Sequence, residues 1–285
     1  MIDVDGLTYA YPGAAEPSVR GISFAVEEGE VFGFLGPSGA GKSTTQKVLI
    51  GLCRGYDGRA AVLGREVRDW GAELYEHVGV SFELPNHHQR LTAHENLSHF
   101  GGLYRGPIED PGEVLSWVGL ESAADQRVSD FSKGMKARLN VARSLLHRPK
   151  VLFLDEPTGG LDPVNADNIK RLVRRQQERG ATVFLTTHDM VVADELCDRV
   201  AFLVDGRIAA EDRPDVLKKA HGRRAVRLSW SGPDGPEEQE FALDGLADDP
   251  AFLDALRDHE IEAIHSQETT LEKVFIDVTG QALRR

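Results

Sequence analysis

Short apolar runs, each bounded by charge or by Gly and Pro, mark the main body of the chain. Val31-Phe32-Gly33-Phe34-Leu35, Val151 to Leu154, Thr182 to Leu185 and Val200 to Val204 are continuous rather than alternating. Strands buried on both faces read this way, as in parallel sheets covered by helices. Between them Met135, Leu139, Ala142 and Leu146 recur on one face of a helix that Pro149 ends. Ile2 to Val26 alternates and carries turn residues, which predicts a short antiparallel sheet. Past Ala220-His221-Gly222 the pattern changes. A strand over Arg224 to Trp230, a Gly/Pro/Glu-rich turn, a strand over Glu240 to Leu243 and a helix over Asp249 to His259 follow. Thr269 with Glu272 reads as a capping box, opening a last helix with Leu271, Val274, Phe275 and Val278 on one face. The expectation is an α/β body over 1–221 and a small α+β extension over 222–285.

The length of 285 residues fits about two domains and a sizeable core. The net charge of −13 disfavours non-specific nucleic-acid binding, so no nucleic-acid partner is expected. From Ser231 to Glu260 ten acids face one base, Arg257, so this stretch alone carries −9 and the rest of the chain −4. The tail is read as an acidic, solubilising surface. No apolar run approaches the roughly 20 residues of a spanning helix. Met1 to Asp5 lacks the basic and apolar regions of a secretory signal. Cys53 and Cys197 lack metal-type spacing and read as reduced thiols.

The candidate chemistry begins at Gly36-Pro37-Ser38-Gly39-Ala40-Gly41-Lys42-Ser43, which fits G-x-x-x-x-G-K-[ST] between a predicted strand and a predicted helix. Glycines let the backbone wrap phosphate oxygens, and the N–H groups of the loop and helix start supply positive potential. Lys42 is expected on the β- and γ-phosphates, the Ser43 hydroxyl on Mg²⁺ and Thr44 on the α-phosphate. Farther on, the apolar run Val151 to Leu154 ends in Asp155-Glu156. Strand ends face the ligand crevice in open α/β sheets. Asp155 is placed to hold Mg²⁺, and Glu156 to act as a general base or to orient water.

With these motifs in place, Phe131-Ser132-Lys133-Gly134-Met135 before the amphipathic helix resembles the LSGGQ signature of ABC transporter ATPases. Tyr11 resembles the family's adenine-stacking aromatic. Glu83, in Val80-Ser81-Phe82-Glu83-Leu84-Pro85, stands where the family has the Q-loop glutamine. Gly160-Leu161-Asp162 resembles the D-loop, and His188 the switch histidine. The likeness covers about residues 1 to 220. The tail, with Thr270-Leu271-Glu272-Lys273-Val274-Phe275 and Thr279-Gly280, resembles that of daunorubicin-type drug and antibiotic exporter ATPases.

The resemblance implies a P-loop NTPase fold. Its parts would be a RecA-like parallel-sheet core, an N-terminal antiparallel β-subdomain, a helical signature subdomain over about 84–147 and the small C-terminal extension. It implies ATP and Mg²⁺ as cofactors, with Ser43, Asp155 and Glu83 on the metal and Glu156 and His188 as catalytic residues. Tyr11, Gly36 to Thr44, Ser132 and Gly134 would bind nucleotide. Two subunits, read as a homodimer, would sandwich ATP head to tail, with the signature acting in trans. A separate transmembrane permease would be the partner, on the cytoplasmic side of the cell membrane, with export as the outcome. A non-transport ATP clamp and an importer ATPase are the alternatives. The departures are Glu83 for glutamine, Lys133 for the first signature glycine and Met135 for glutamine. Lys133 either contacts phosphate or is a solvated helix-start residue. His87 and His88 lack a third ligand and are read as a solvated loop. Asp162 is expected to shape the dimer contact without a catalytic role.

Overall fold

Val31 to Leu35, Val151 to Asp155 and Thr182 to Thr187 are buried at every position, and they lie side by side in one sheet. The computed structural model describes residues 1–221, 225–232, 235–267 and 269–280. They divide into two compact units, Met1–Asp212 and a second beginning at Arg213. The first runs β1 (Ile2–Tyr9), β2 (Val19–Val26), β3 (Val31–Leu35), α1 (Lys42–Leu49), β4 (Asp57–Val62), β5 (Arg65–Glu66) and β6 (Val78–Ser81). It continues through α2 (Ala93–Gly101), α3 (Pro111–Trp117), α4 (Lys133–Leu145), β7 (Val151–Asp155), α5 (Pro163–Glu178), β8 (Thr182–Thr187), α6 (Met190–Leu196), β9 (Arg199–Val204) and β10 (Arg207–Asp212).

The six-stranded sheet has the order β10-β9-β3-β8-β7-β6, parallel throughout except for β10 at its edge. The ends of β3, β8, β7 and β6 therefore open on one edge, where the candidate residues follow. The expected antiparallel sheet is present in the order β2-β1-β4-β5. Its strands β4 and β5 lie where the sequence reading assigned no strand, because Asp57-Gly58-Arg59 is polar and exposed. Phe24 of β2 packs against Phe32, Phe34 and Phe184 of the central sheet at centroid distances of 5.3–5.9 Å. Each such pair adds about 0.5–1.5 kcal/mol beyond its area burial.

The second unit comprises α7 (Pro214–His221), β11 (Ala225–Gly232), β12 (Gly235–Ala242), α8 (Pro250–Asp258), β13 (Ile261–Gln267) and α9 (Leu271–Thr279). Its sheet is antiparallel in the order β12-β11-β13. Helix α7 packs on α9, so this unit begins at Arg213 and not at the composition change near Gly222. Strand β12 begins earlier than the apolar pattern suggested, at Gly235, with its exposed glutamates facing across from β11. The last helix is capped by Thr270, whose hydroxyl accepts from Lys273 N at 3.2 Å; Thr269 is buried, and Glu272 falls one position short of the capping-box site.

His87 departs from the solvated-loop expectation, while His88 beside it is exposed. His87 is only 6% exposed, and its Nε2 lies 3.0 Å from Lys136 O. A carbonyl can only accept, so Nε2 carries the proton and the buried Nδ1 is left without a partner. Burial pulls the pKa down to about 4, with the Arg143, Lys136 and His88 charges adding to the effect against the Lys136 carbonyl bond. The unfolded chain takes up a proton near pH 6.5 and the folded one only near 4, so stability present above 6.5 is lost as pH falls. From pH 7 to 5 this group should cost about 2 kcal/mol. His87→Gln, whose amide can still donate to Lys136 O, should lose about 2 kcal/mol less than the parent in urea unfolding over that interval. Equal losses in both proteins would contradict the assignment.

Candidate active site

The loop Gly36 to Gly41 leaves β3 and turns into α1, whose first residue is Lys42. Its path requires glycine at two points. At Gly36, with φ 156°, a Cβ would stand 2.1 Å from Leu203 O. At Gly41, with φ 108°, it would stand 2.5 Å from Ser18 O. The Thr45 hydroxyl donates to Gly41 O at 3.0 Å and closes the turn. Lys42 is buried, and its Nζ donates to Gly36 O at 2.7 Å and Pro37 O at 3.1 Å. Burial lowers its pKa, and the carboxylates of Glu156, Asp155 and Glu83 oppose that shift. A buried ammonium facing three acids beside open loop amides suits a polyphosphate carrying a cation.

The acids sit on the neighbouring strands. Asp155 closes β7 and accepts from the Thr186 hydroxyl of β8 at Oδ1 and from Ser43 Oγ at 3.0 Å at Oδ2. Glu156 follows with φ 47°, a left-handed conformation uncommon outside glycine. This turn directs its carboxylate toward the end of β8. There Oε2 accepts from Thr187 Oγ1 at 2.8 Å, and Oε1 accepts from the His188 backbone N–H at 2.9 Å and from Nδ1 at 2.7 Å. An ionised carboxylate only accepts, so Nδ1 carries the histidine proton and Nε2 is the remaining ring nitrogen. Thr186 and Thr187 hold both acids, and sequence reasoning missed them. The signal was available as two hydroxyls directly following the apolar run Val183 to Leu185.

Glu83, Asp155, Glu156 and His188 line one cavity of about 490 Å³, together with Lys133 and Lys136 of α4. Lys133 also reaches toward Gly160, its Nζ 3.9 Å from where a Cβ there would stand. For Mg²⁺ the donor set fits. Ser43 and Asp155 present hard oxygens that already converge, as suits an ion held by one or two protein groups and substrate phosphates. Among the described residues no group of three or more His, Cys, Asp or Glu side chains forms a separate cation cage.

Tyr11 is 37% exposed, packs edge-on against Tyr9 at 5.1 Å and has its hydroxyl 3.3 Å from Thr44 Oγ1. Tyr9 is buried in the core, so Tyr11 is the ring open to a base. Ser132 and Gly134 form the first turn of α4, where the Ser132 hydroxyl accepts from Met135 N at 3.2 Å. Neither lines the cavity of Glu83, Asp155 and Glu156, although Lys133 between them does. Asp162 caps α5, accepting from Asn165 N at 3.0 Å, and that backbone bond leads the effects that hold its pKa down.

Residues 19–159 match the family model described as ABC transporter, and residues 224–268 match one described as Fluoroquinolone efflux ABC transporter C-terminal domain. The chain is 58% identical over 284 residues to a fluoroquinolones export ATP-binding protein of Mycobacterium tuberculosis, covering 99% of this chain and 94% of that protein. It is 33% identical over 312 residues to a linearmycin resistance ATP-binding protein of Bacillus subtilis, covering 100% of both. Among solved structures it resembles a dimeric ATP-binding cassette in a post-hydrolysis state bound to ADP and Pi. That match has a TM-score of 0.68 at 28% identity and covers 75% of this chain and 98% of that one.

Gly41→Ala tests the loop geometry. The added Cβ meets the Ser18 carbonyl and the backbone is strained, so unfolding free energy should fall by at least about 2 kcal/mol. Binding of a fluorescent ATP analogue should fall with it. An unchanged urea midpoint and unchanged binding would show that the loop has another conformation.

Proposed function

The chain belongs to the ABC transporter ATP-binding proteins, which bind and hydrolyse ATP, and from that premise we propose that it energises export of a hydrophobic drug or antibiotic through a separate membrane permease. One observation carries the chemical part. Lys42, Ser43, Asp155, Glu156 and His188, drawn from three strand ends, form a phosphate cradle with an adjoining carboxylate–imidazole pair. The export direction rests on the exporter relatives and on the match of residues 224–268.

In this reading Tyr11 stacks on adenine, the amides of the loop through Thr44 take the phosphates, and Lys42 binds the β- and γ-oxygens. Ser43, Asp155 and Glu83 hold Mg²⁺. The ion supplies neutralisation of phosphate charge. Glu156 accepts the proton of the water that attacks the γ-phosphorus, releasing ADP and phosphate. His188 orients that carboxylate through its Nδ1–H, and its Nε2, which in that tautomer carries only a lone pair, accepts from the attacking water. A second copy closes the site in trans with Ser132 and the Gly134 N–H, adding a helix N-terminus opposite the first. The unit Met1–Asp212 would carry this cycle, and the acidic unit from Arg213 would take no part in its chemistry.

The permease reading has its own support. No described helix is long and apolar enough to cross a membrane. A groove of about 590 Å³ is lined by Phe82, Phe100, Tyr104, Leu52, Tyr75 and Leu103, the last three exposed. Apolar side chains exposed together mark a docking surface, and here they suit a permease segment on the cytoplasmic side of the membrane.

Glu156→Gln keeps one oxygen to accept from His188, turns its NH2 toward the Thr187 hydroxyl, which can rotate to accept, and cannot take a proton. It should abolish turnover while ATP binding persists, and saturating MgATP should drive it to a dimer in size-exclusion chromatography with light scattering. Monomers alone under those conditions would overturn the sandwich. Glu83→Gln retains an oxygen ligand, and its MgATP turnover should stay within about threefold of the parent. Complete loss would mean that the carboxylate has a role the amide cannot fill.

A further inference from the structure

The loop that carries Glu83 is fastened to α4 by three residues spaced i, i+4, i+7 on one helix face. His87 Nε2–H donates to Lys136 O at 3.0 Å. Asn140 Nδ2 donates to Phe82 O at 2.7 Å and to Ser81 Oγ at 3.0 Å. Arg143 Nη1 donates to Asn86 O at 2.8 Å, and its Nη2 donates to Asn140 Oδ1 at 2.7 Å. Asn140 is 1% exposed, so its amide cannot exchange these partners for water. Arg143 determines which way that amide points, because the guanidinium only donates and must face the oxygen. The Asn140 nitrogen is thereby aimed at the carbonyl immediately before Glu83.

The other end of the network lies in the groove. Arg143 lines it, and its guanidinium sits 4.6 Å from the centroid of the Phe100 ring on α2. Phe82 is a wall of both the groove and the Glu83 cavity, while Asn140 lines the cavity. A ring displaced in the groove would withdraw the face that holds the guanidinium. The guanidinium would release Asn86 O and Asn140, and the backbone at Phe82 would lose its tether.

We propose that Asn140 and Arg143 are positioning residues for ATP hydrolysis, fixing Glu83 from α4 and making its placement depend on the Phe100 side of the groove. This rests on the reading of Glu83 as part of the hydrolytic site. The network acts through geometry and not by contact with nucleotide. It therefore predicts changes in turnover that vanish once Glu83 is gone.

The test is a double-mutant cycle on the full chain, reading kcat, KM for ATP and the Mg²⁺ concentration for half activity. Asn140→Ala should lower kcat about tenfold and raise the Mg²⁺ requirement, with KM for ATP within twofold. In a Glu83→Ala background the same change should cost less than twofold. Arg143→Met should behave as Asn140→Ala does, Arg143→Lys should restore turnover in part because one ammonium cannot reach both acceptors, and Phe100→Leu should resemble Arg143→Lys. Should Asn140→Ala fail to fold, the Arg143 and Phe100 variants complete the cycle. Penalties that multiply with that of Glu83→Ala would overturn the proposal, as would an unchanged kcat and Mg²⁺ requirement in Asn140→Ala and Arg143→Met. Absence of MgATP hydrolysis by the parent would instead overturn the catalytic reading itself.

Discussion

Parallel pairing of β3 with β8 and of β8 with β7 is the constraint on which the site depends. Leu35 pairs with Thr187, and Asp155 with Thr186. The phosphate loop, two hydroxyls and two carboxylates consequently leave the sheet at one level. Were any of these strands antiparallel, its polar end would lie at the opposite edge. Hydrogen bonds between strand ends then do the fine positioning. Ser43 reaches Asp155, and Thr187 and His188 reach Glu156. The aromatic layer of Phe24, Phe32, Phe34 and Phe184 fills the space beneath and joins the antiparallel sheet to the central one.

Charge is balanced locally at this edge. Lys42 lies under three carboxylates, and burial alone would favour its neutral form. The acids keep the ammonium available, and the ammonium eases repulsion among the acids. Glu83 adds an anion where a glutamine would be neutral, while Lys133 and Lys136 line the same cavity. Polyphosphate and a divalent cation entering together bring charges of both signs, which suits such a mixed lining.

The parts legible in the sequence were those encoded by neighbouring residues. Gly36 to Ser43 announces itself because each residue serves the same turn. Asp155 and Glu156 stand out because charge ends an apolar strand. The continuous strands gave the parallel sheet, and the alternation at Ile2 to Val26 gave the antiparallel one. The fastening of the Glu83 loop was not legible. Its partners lie 49 to 59 residues apart, and Asn140 and Arg143 look in sequence like ordinary helix residues. His87 was misread for the same reason, since its burial comes from a helix distant in the chain. Strand β4 begins with exposed Asp57-Gly58-Arg59 and β12 with Gly235-Pro236 followed by exposed glutamates, so hydrophobic periodicity is silent there. Thr270 displaced Thr269 as a cap because a one-residue shift at a helix start changes little in the apolar pattern.

The left-handed backbone at Glu156 has a consequence for what can replace that residue. A side chain held at positive φ costs about 1–3 kcal/mol, which glycine would recover in full and asparagine in part. Either replacement would also remove the carboxylate. Replacement by glycine thus sets the relief of that strain against the three hydrogen bonds that the carboxylate accepts from Thr187 and His188. The strained turn and the carboxylate's grip on the end of β8 are therefore one feature, and neither can be altered at this residue without the other.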